Sequence, residues 1–230
     1  MNKIAALLFF LLLLLGCKKD DNTPTAQQYK CYYTAFYSYS ENRTYCTAEF
    51  RTASGTAALE SGAEIKCNGI PMTIESHSSP GPYLPYTEYT TSFNGIVSCN
   101  FTYKNSAGRM FTNSINLDQM GFSTFAANVN NVNATDTLFV PFTGGVINQN
   151  EEIELMVFQD QQHFAGDVFN SQNLNDTICK LTPDKMTYLT NGWGQIKFTK
   201  TKTLSLQEPD ASGGEMKAGW SSIQNIVVTQ

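Results

Sequence analysis

The residues best suited to covalent chemistry are cysteines, and most of them fall in the first half of the chain. Cys31, Cys46, Cys67 and Cys99 each lie on the more apolar face of a predicted β-strand. Thiols that point inward from two packed sheets can come within disulfide range. Four cysteines allow three pairings, and the hairpin that separates Cys31 from Cys46 favours Cys46 with Cys99 and Cys31 with Cys67. The alternative is four buried, reduced thiols, as expected for Cys179 in the second half.

Catalytic and metal-binding residue types are sparse in this sequence. It has no CxxC spacing, no GxSxG around a serine, and only His77 and His163 as histidines. His163 follows Asp160 in a polar stretch that matches no calcium-loop pattern, so a solvated loop is the expected role. Glu151 and Glu152 are adjacent on a predicted strand, where side chains alternate between faces, and cannot act as a glycosidase pair. We therefore expect no enzyme activity, no cofactor and no metal.

Aromatic residues in a proline-rich stretch provide the candidate ligand-binding surface. Tyr83, Tyr86 and Tyr89 recur at intervals of three within the sequence SSPGPYLPYTEY. Proline fixes φ and is excluded from central strands, so this stretch is predicted to be a stiff loop or edge. Rings held on such a loop can stack on a sugar or anchor a peptide. The alternative is that they cover the open end of a core, and Trp193 and Trp220 are expected to be core or turn residues.

The N terminus carries a targeting pattern. Lys3 is followed by an apolar run over residues 4–15, which ends at Gly16 and Cys17 before a fully polar segment. A positive start, a short apolar run and a small residue at its exit are typical of a secretory signal. The run is shorter than the roughly 20 residues that span a membrane. An uncleaved signal anchor and a simple secretory signal both fit this pattern.

The stretch Leu-Leu-Gly-Cys, which ends at Cys17, resembles the lipobox of bacterial lipoproteins. This resemblance implies cleavage before Cys17, acylation of that residue and attachment to a membrane through the lipid. The next residues, Lys-Lys-Asp-Asp, resemble the surface-export signal of Bacteroidota lipoproteins, which implies display on the outer face of the outer membrane. A solvated spacer without an address is the alternative for this segment.

The rest of the chain is predicted to be all-β. Apolar residues alternate at period two in many short runs, and no helical period is found. Asn68 and Gly69 predict a type I′ hairpin turn, because both tolerate positive φ. Residues 183–189 resemble the short helical turn that crosses the end of many immunoglobulin-like sandwiches.

We expect two tandem immunoglobulin-like β-sandwich domains, since a chain of 230 residues suits two domains of ordinary size. The predicted boundaries are a signal peptide over 1–16, a lipidated tether over 17–28, a first domain over 29–118 and a second over 119–230.

Composition narrows the function classes. With 15 basic against 20 acidic residues, a net charge of −5 and no basic run, the chain is not expected to bind nucleic acid. The first hypothesis is a non-enzymatic binding module for a glycan or protein at the cell surface. The second is a structural or accessory subunit of an envelope complex. An extracytoplasmic hydrolase comes third, because the residues for it are scarce.

Overall fold

The computed structural model describes residues 26–77, 86–160, 162–174 and 176–230. The lipobox with Cys17, the export-like segment and Tyr83 lie outside the described residues. The prediction of an all-β fold is confirmed, with two short 3-10 turns at Leu117–Met120 and Pro183–Lys185. The strands are β1 Lys30–Ser38, β2 Arg43–Thr52, β3 Gly55–Thr56, β4 Glu64–Cys67, β5 Ile70–Pro71, β6 Thr73–His77, β7 Tyr86–Asn94, β8 Cys99–Lys104, β9 Met110–Ile115, β10 Asn131–Asn133, β11 Leu138–Pro141, β12 Glu151–Phe158, β13 Phe164–Asn170, β14 Ile178–Leu181, β15 Gly192–Leu204 and β16 Gly214–Thr229.

One long sheet connects both halves of the chain. Its strand order is β13-β12-β15-β16-β1-β2-β7-β6, with β10 also on β16 and β3 also on β2. Neighbours along this order are antiparallel except β16 and β1, which run parallel. A four-stranded sheet, β5-β4-β8-β9, packs against the first-half end, and a two-stranded sheet, β11-β14, packs against the second-half end. We call the side of the long sheet that faces these smaller sheets its inner face.

Two hydrophobic cores lie on the inner face. In the first, the rings of Tyr33 and Phe101 stack across the two sheets with centroids 5.0 Å apart. In the second, Phe198 of β15 packs at 5.5 Å from Phe142, beside buried Leu155. Each core therefore has its own aromatic centre, and the two are joined through the long sheet.

The last strand contributes to both cores. Met216, Ala218 and Trp220 belong to the first core, whereas Ile226 and Val228 belong to the second. This follows from alternation, because every second residue of β16 faces inward along its whole length. The division into residues 29–118 and 119–230 stays a prediction, and the structure adds that the first core takes side chains from beyond residue 118.

The parallel pairing of β16 with β1 depends on a close backbone approach. Gly214 pairs with Cys31 at the start of this ladder, and a Cβ at Gly214 would overlap the Cys31 carbonyl oxygen. Gly214 also has φ of +140°, which an L side chain rarely adopts. Glycine is therefore required where β16 begins beside β1.

Two local predictions can be compared directly with the structure. Asn68 and Gly69 have φ of 50° and 77°, as the predicted type I′ turn requires. The stretch after Asp160, expected to be a polar loop, instead contains β13 at the edge of the long sheet. Its outward positions include the apolar Phe164 and Val168, so the strand shows no apolar–polar alternation in the sequence.

Candidate functional site

Tyr89 is a core residue, although it is one of the three tyrosines predicted to form a binding surface. It is 9% exposed, and its ring meets Phe50 edge-on at 5.7 Å. Its hydroxyl accepts a hydrogen bond from the Leu59 backbone N–H at 2.8 Å. Because alternation along β7 turns Tyr89 inward, it cannot contact a ligand, and this part of the prediction is corrected.

Tyr86 lies at the exposed edge of the long sheet. It is 41% exposed and stacks on the His77 ring, with centroids 4.4 Å apart. The His77 Nε2 atom lies 3.1 Å from Glu88 Oε1 and 3.8 Å from Glu75 Oε2, and these two glutamates are directly opposite each other in the ladder. Burial raises the pKa of Glu88 even though His77 opposes the shift. This edge is acidic, and His77 bridges two like charges that would otherwise repel.

Three cysteines meet between the sheets of the first half. The Sγ atoms of Cys46 and Cys99 are 3.0 Å apart, and the Sγ of Cys67 lies within 4.8 Å of both. All three side chains are fully buried, and no disulfide joins them in the described part of the chain. The structure thus brings together the Cys46 and Cys99 pair predicted from sequence, and it adds Cys67 to them.

Cys31 lies apart from these three thiols. It pairs with Phe50 on β2, four residues along the strand from Cys46, and a strand rises about 3.3 Å per residue. Its thiol donates a hydrogen bond to the Tyr29 carbonyl at 3.6 Å, and burial raises its pKa to about 12. The predicted pairing of Cys31 with Cys67 is therefore not the arrangement found. Cys179 is buried in the second core as expected, and burial raises its pKa to about 12.

The remaining polar candidates have structural roles. His163 Nδ1 lies 2.7 Å from Asp160 Oδ2 in the exposed turn after β12. This hydrogen bond, together with those from the backbone N–H groups of Gln162 and His163, lowers the pKa of Asp160 to about 2. Glu151 is buried, and its Oε2 atom is 3.2 Å from Nζ of the equally buried Lys200. Glu152 is exposed on the opposite face, as the alternation of β12 predicts.

An exposed indole is the site feature that sequence reasoning missed. Trp193 was expected to be a core or turn residue, but it is 80% exposed. Along β15 the buried apolar residues are Ile196 and Phe198, at even positions, so the odd-numbered Trp193 points from the outer face of the long sheet. Trp220, on the neighbouring strand, is buried at 3% exposure as expected.

Trp193 borders a shallow hollow of about 280 Å³. Its other lining residues carry aromatic, amide or no side chains: Phe158, Gln159, Gly194, Gln195 and Asn225. A second hollow of about 290 Å³ lies on the same face and is lined by Glu154, Met156, Phe164, Gly166, Asp167 and Val168. We define the aromatic face as Phe158, Phe164 and Trp193 with the amides around them.

Hydrogen bonds fix the amides of this face. Gln159 donates from Nε2 to the Thr190 carbonyl at 2.8 Å and accepts from the Thr190 N–H at 2.9 Å, which holds the loop before β15. Gln195 Nε2 donates to Asn225 Oδ1 at 3.1 Å. This pair can still accept through Gln195 Oε1 and donate through Asn225 Nδ2. The sequence Gly-Trp-Gly followed by glutamine indicates an exposed indole, because the flanking glycines have no side chains to cover the Trp193 ring.

Comparisons with known proteins leave the chain without an assigned family. No protein-family model matches, and no curated protein matches. One similar solved chain comes from a study of host cell surface retention of a 1.5-MDa bacterial ice-binding adhesin. It is 14% identical with a TM-score of 0.25, and the match covers 88% of this chain and 66% of that one.

The structure also bears on membrane crossing by helices. No helix within the described residues is long and apolar enough to span a bilayer.

Proposed function

We propose that this protein is a non-enzymatic, lipid-anchored binding module that holds a neutral glycan on its aromatic face. The single observation that carries the proposal is the 80% exposure of Trp193 beside a hollow with no charged lining residue. An indole exposed to this extent leaves a large apolar surface in water unless a ligand covers it.

The chemistry of the face favours a sugar. The apolar C–H face of a pyranose can stack on the Trp193 or Phe158 ring, while its hydroxyls need donors and acceptors at the edges. Gln195 and Asn225 supply both kinds of hydrogen-bonding group, and they are preorganised by their mutual hydrogen bond. A ligand with carboxylates or sulfates would find no cationic partner in this hollow, so neutral glycans are the proposed class.

Presentation depends on the N terminus. The lipid on Cys17 anchors the chain to the outer membrane, and residues 17–28 act as a tether that lets the aromatic face reach ligands outside the cell. Cys17→Ser should leave the protein either unprocessed or released from the membrane fraction. Wild-type protein that carries no acyl mass on Cys17 would contradict the anchor and leave the glycan proposal intact.

A glycan microarray with matched variants tests the binding role. Wild-type protein should bind a subset of neutral oligosaccharides, and Trp193→Ala should weaken that binding at least about fivefold, because a stacked ring contributes roughly 1 kcal/mol. Phe139→Ala is the control, since Phe139 is 57% exposed but lies outside both hollows of the aromatic face. Equal binding by wild type and Trp193→Ala, or binding of charged glycans alone, would overturn the proposal.

A further inference from the structure

Three buried thiols from two sheets converge on one point in the first core. Cys46 comes from β2 of the long sheet, whereas Cys67 and Cys99 come from β4 and β8 of the four-stranded sheet. Each is fully buried, and the Sγ atoms all lie within 4.8 Å of one another. Three thiols are therefore close to one another, but a disulfide can join only two of them.

Strand register decides which pairs can bond. Cys67 is directly opposite Phe101, and Cys99 is two residues further along β8, so Cys67 and Cys99 are diagonal neighbours on one face. Diagonal neighbours lie roughly 7–8 Å apart, beyond the Cα–Cα spacing of about 4.4–6.8 Å that disulfides take. Cys46 faces both from the opposing sheet, and its Sγ is 3.0 Å from that of Cys99. Cys46 is therefore the partner common to both possible bonds.

The surroundings favour a disulfide over a metal centre. Three thiolates around a soft cation would leave net negative charge among side chains such as Phe101 and Ile115, which are fully buried. A disulfide is neutral and keeps the core apolar. It would also tie the long sheet to the four-stranded sheet and so limit the freedom of the unfolded chain.

We propose that Cys46 forms an inter-sheet disulfide with Cys99, and that Cys67 is a built-in alternative partner which bonds Cys46 when Cys99 is lost. The bond forms while the core is still open, because the closed core leaves none of the three sulfurs exposed.

The oxidation uses a disulfide donor such as glutathione disulfide. One cysteine thiolate attacks the donor and expels a thiolate, and a second cysteine thiolate then attacks the mixed disulfide and expels the other. Two thiols are oxidised, the donor is reduced to two thiols, and the two protons pass to the leaving sulfurs. In the cell the donor would come from the oxidising compartment implied by the proposed export, whereas the test below supplies it directly.

The experiment refolds the full chain with glutathione disulfide, alkylates the remaining thiols after unfolding, and maps the bonds by mass spectrometry without reduction. Wild type and Cys67→Ser should both show Cys46 bonded to Cys99. Cys99→Ser should show Cys46 bonded to Cys67, and Cys46→Ser should show no bond between Cys67 and Cys99. Cys179→Ser is the matched control for loss of a buried thiol, and it should leave the wild-type bond in place.

Several results would overturn the proposal. These are a Cys67–Cys99 bond in Cys46→Ser, full alkylation of all three wild-type thiols after oxidation, or a metal in the intact mass with no bond. Failure of Cys99→Ala, which keeps a small apolar side chain, to form the Cys46–Cys67 bond would remove the alternative partner. Where a serine variant does not fold, melting wild type and Cys67→Ala in oxidised and reduced buffer still decides the main bond, since both should melt at a lower temperature when reduced.

Discussion

The outer face of the long sheet has two ends that differ in their exposed side chains. At the first-half end, Glu75 and Glu88 face each other in the ladder. His77 lies between them and forms an ion pair or hydrogen bond with each carboxylate. At the second-half end, Trp193 is 80% exposed beside uncharged amides, and Phe164 is 50% exposed beside a second hollow that includes Glu154 and Asp167. The backbone is the same twisted sheet in both places. The outward-facing side chains, and not the fold, therefore determine which end is suited to an apolar or sugar-like ligand.

The two tryptophans also differ, in the burial of their side chains. Trp220 on β16 is buried against Tyr37, with ring centroids 5.2 Å apart, and also packs on Phe122 at 5.3 Å. Trp193 on β15 is largely exposed to solvent. One should therefore serve stability and the other binding.

Trp220→Ala is expected to have the largest effect on stability. Removing this buried ring leaves a cavity near the boundary of the two cores and should cost about 3–5 kcal/mol of unfolding free energy. Trp193→Ala should change that free energy by no more than about 0.5 kcal/mol, because its ring is exposed. Urea unfolding of both variants measures the contrast, and equal losses would remove the distinction between them.

Glu151→Gln should have the next largest effect. The carboxylate is buried against Lys200, and a hydrogen bond to a charged group contributes about 1.5–3 kcal/mol. Although burial alone would raise it, hydrogen bonds from Asn148 and the nearby Lys200 hold the pKa of Glu151 below its usual 4.5. A depressed folded-state pKa stabilises the protein above the unfolded-state value, and this stability is lost as pH falls through the folded-state value.

The pH dependence provides the check on this ion pair. The difference in unfolding free energy between wild type and Glu151→Gln should be full near neutral pH and shrink below about pH 4. A difference that stays constant down to pH 2 would show that the Glu151 carboxylate is not the source of the stabilisation.

Tyr89→Phe should cost about 1 kcal/mol, because the half-buried Leu59 N–H loses its acceptor. Tyr86→Phe is the matched change on the exposed side of the same strand, and it should leave the unfolding free energy unchanged within error. Thermal melts of the pair test whether β7 divides its tyrosines between core and surface. An equal cost for both would indicate that the edge at Tyr86 is as well packed as the core.

Much of the fold follows from local pattern. Alternation predicts the inward thiols of β2, β4 and β8, and the turn at Asn68 and Gly69 follows from the two residues themselves. These features depend on neighbours within a few positions, which the sequence shows directly.

The missed features depend on partners far along the chain. β16 supplies Trp220 to a core built mainly from residues before position 121, and no local signal marks that return. β13 carries apolar residues on both faces because its outer side belongs to the aromatic face, and this hides the strand period. The exposure of Trp193 is set by the register of β15 on its neighbours, so a tryptophan expected in the core projects outward instead.

The central claim is that Trp193 is the ligand-contacting residue, and the chain's two indoles allow a direct measurement. The indole N–H signals of Trp193 and Trp220 can be followed by NMR while the protein is titrated with cellohexaose, mannohexaose or xylohexaose, with Trp193→Ala used for assignment. The account predicts that at least one of these neutral sugars shifts the Trp193 signal saturably and leaves the Trp220 signal in place. An unmoved Trp193 signal with all three sugars, or a sugar that binds and shifts Trp220 alone, would contradict it.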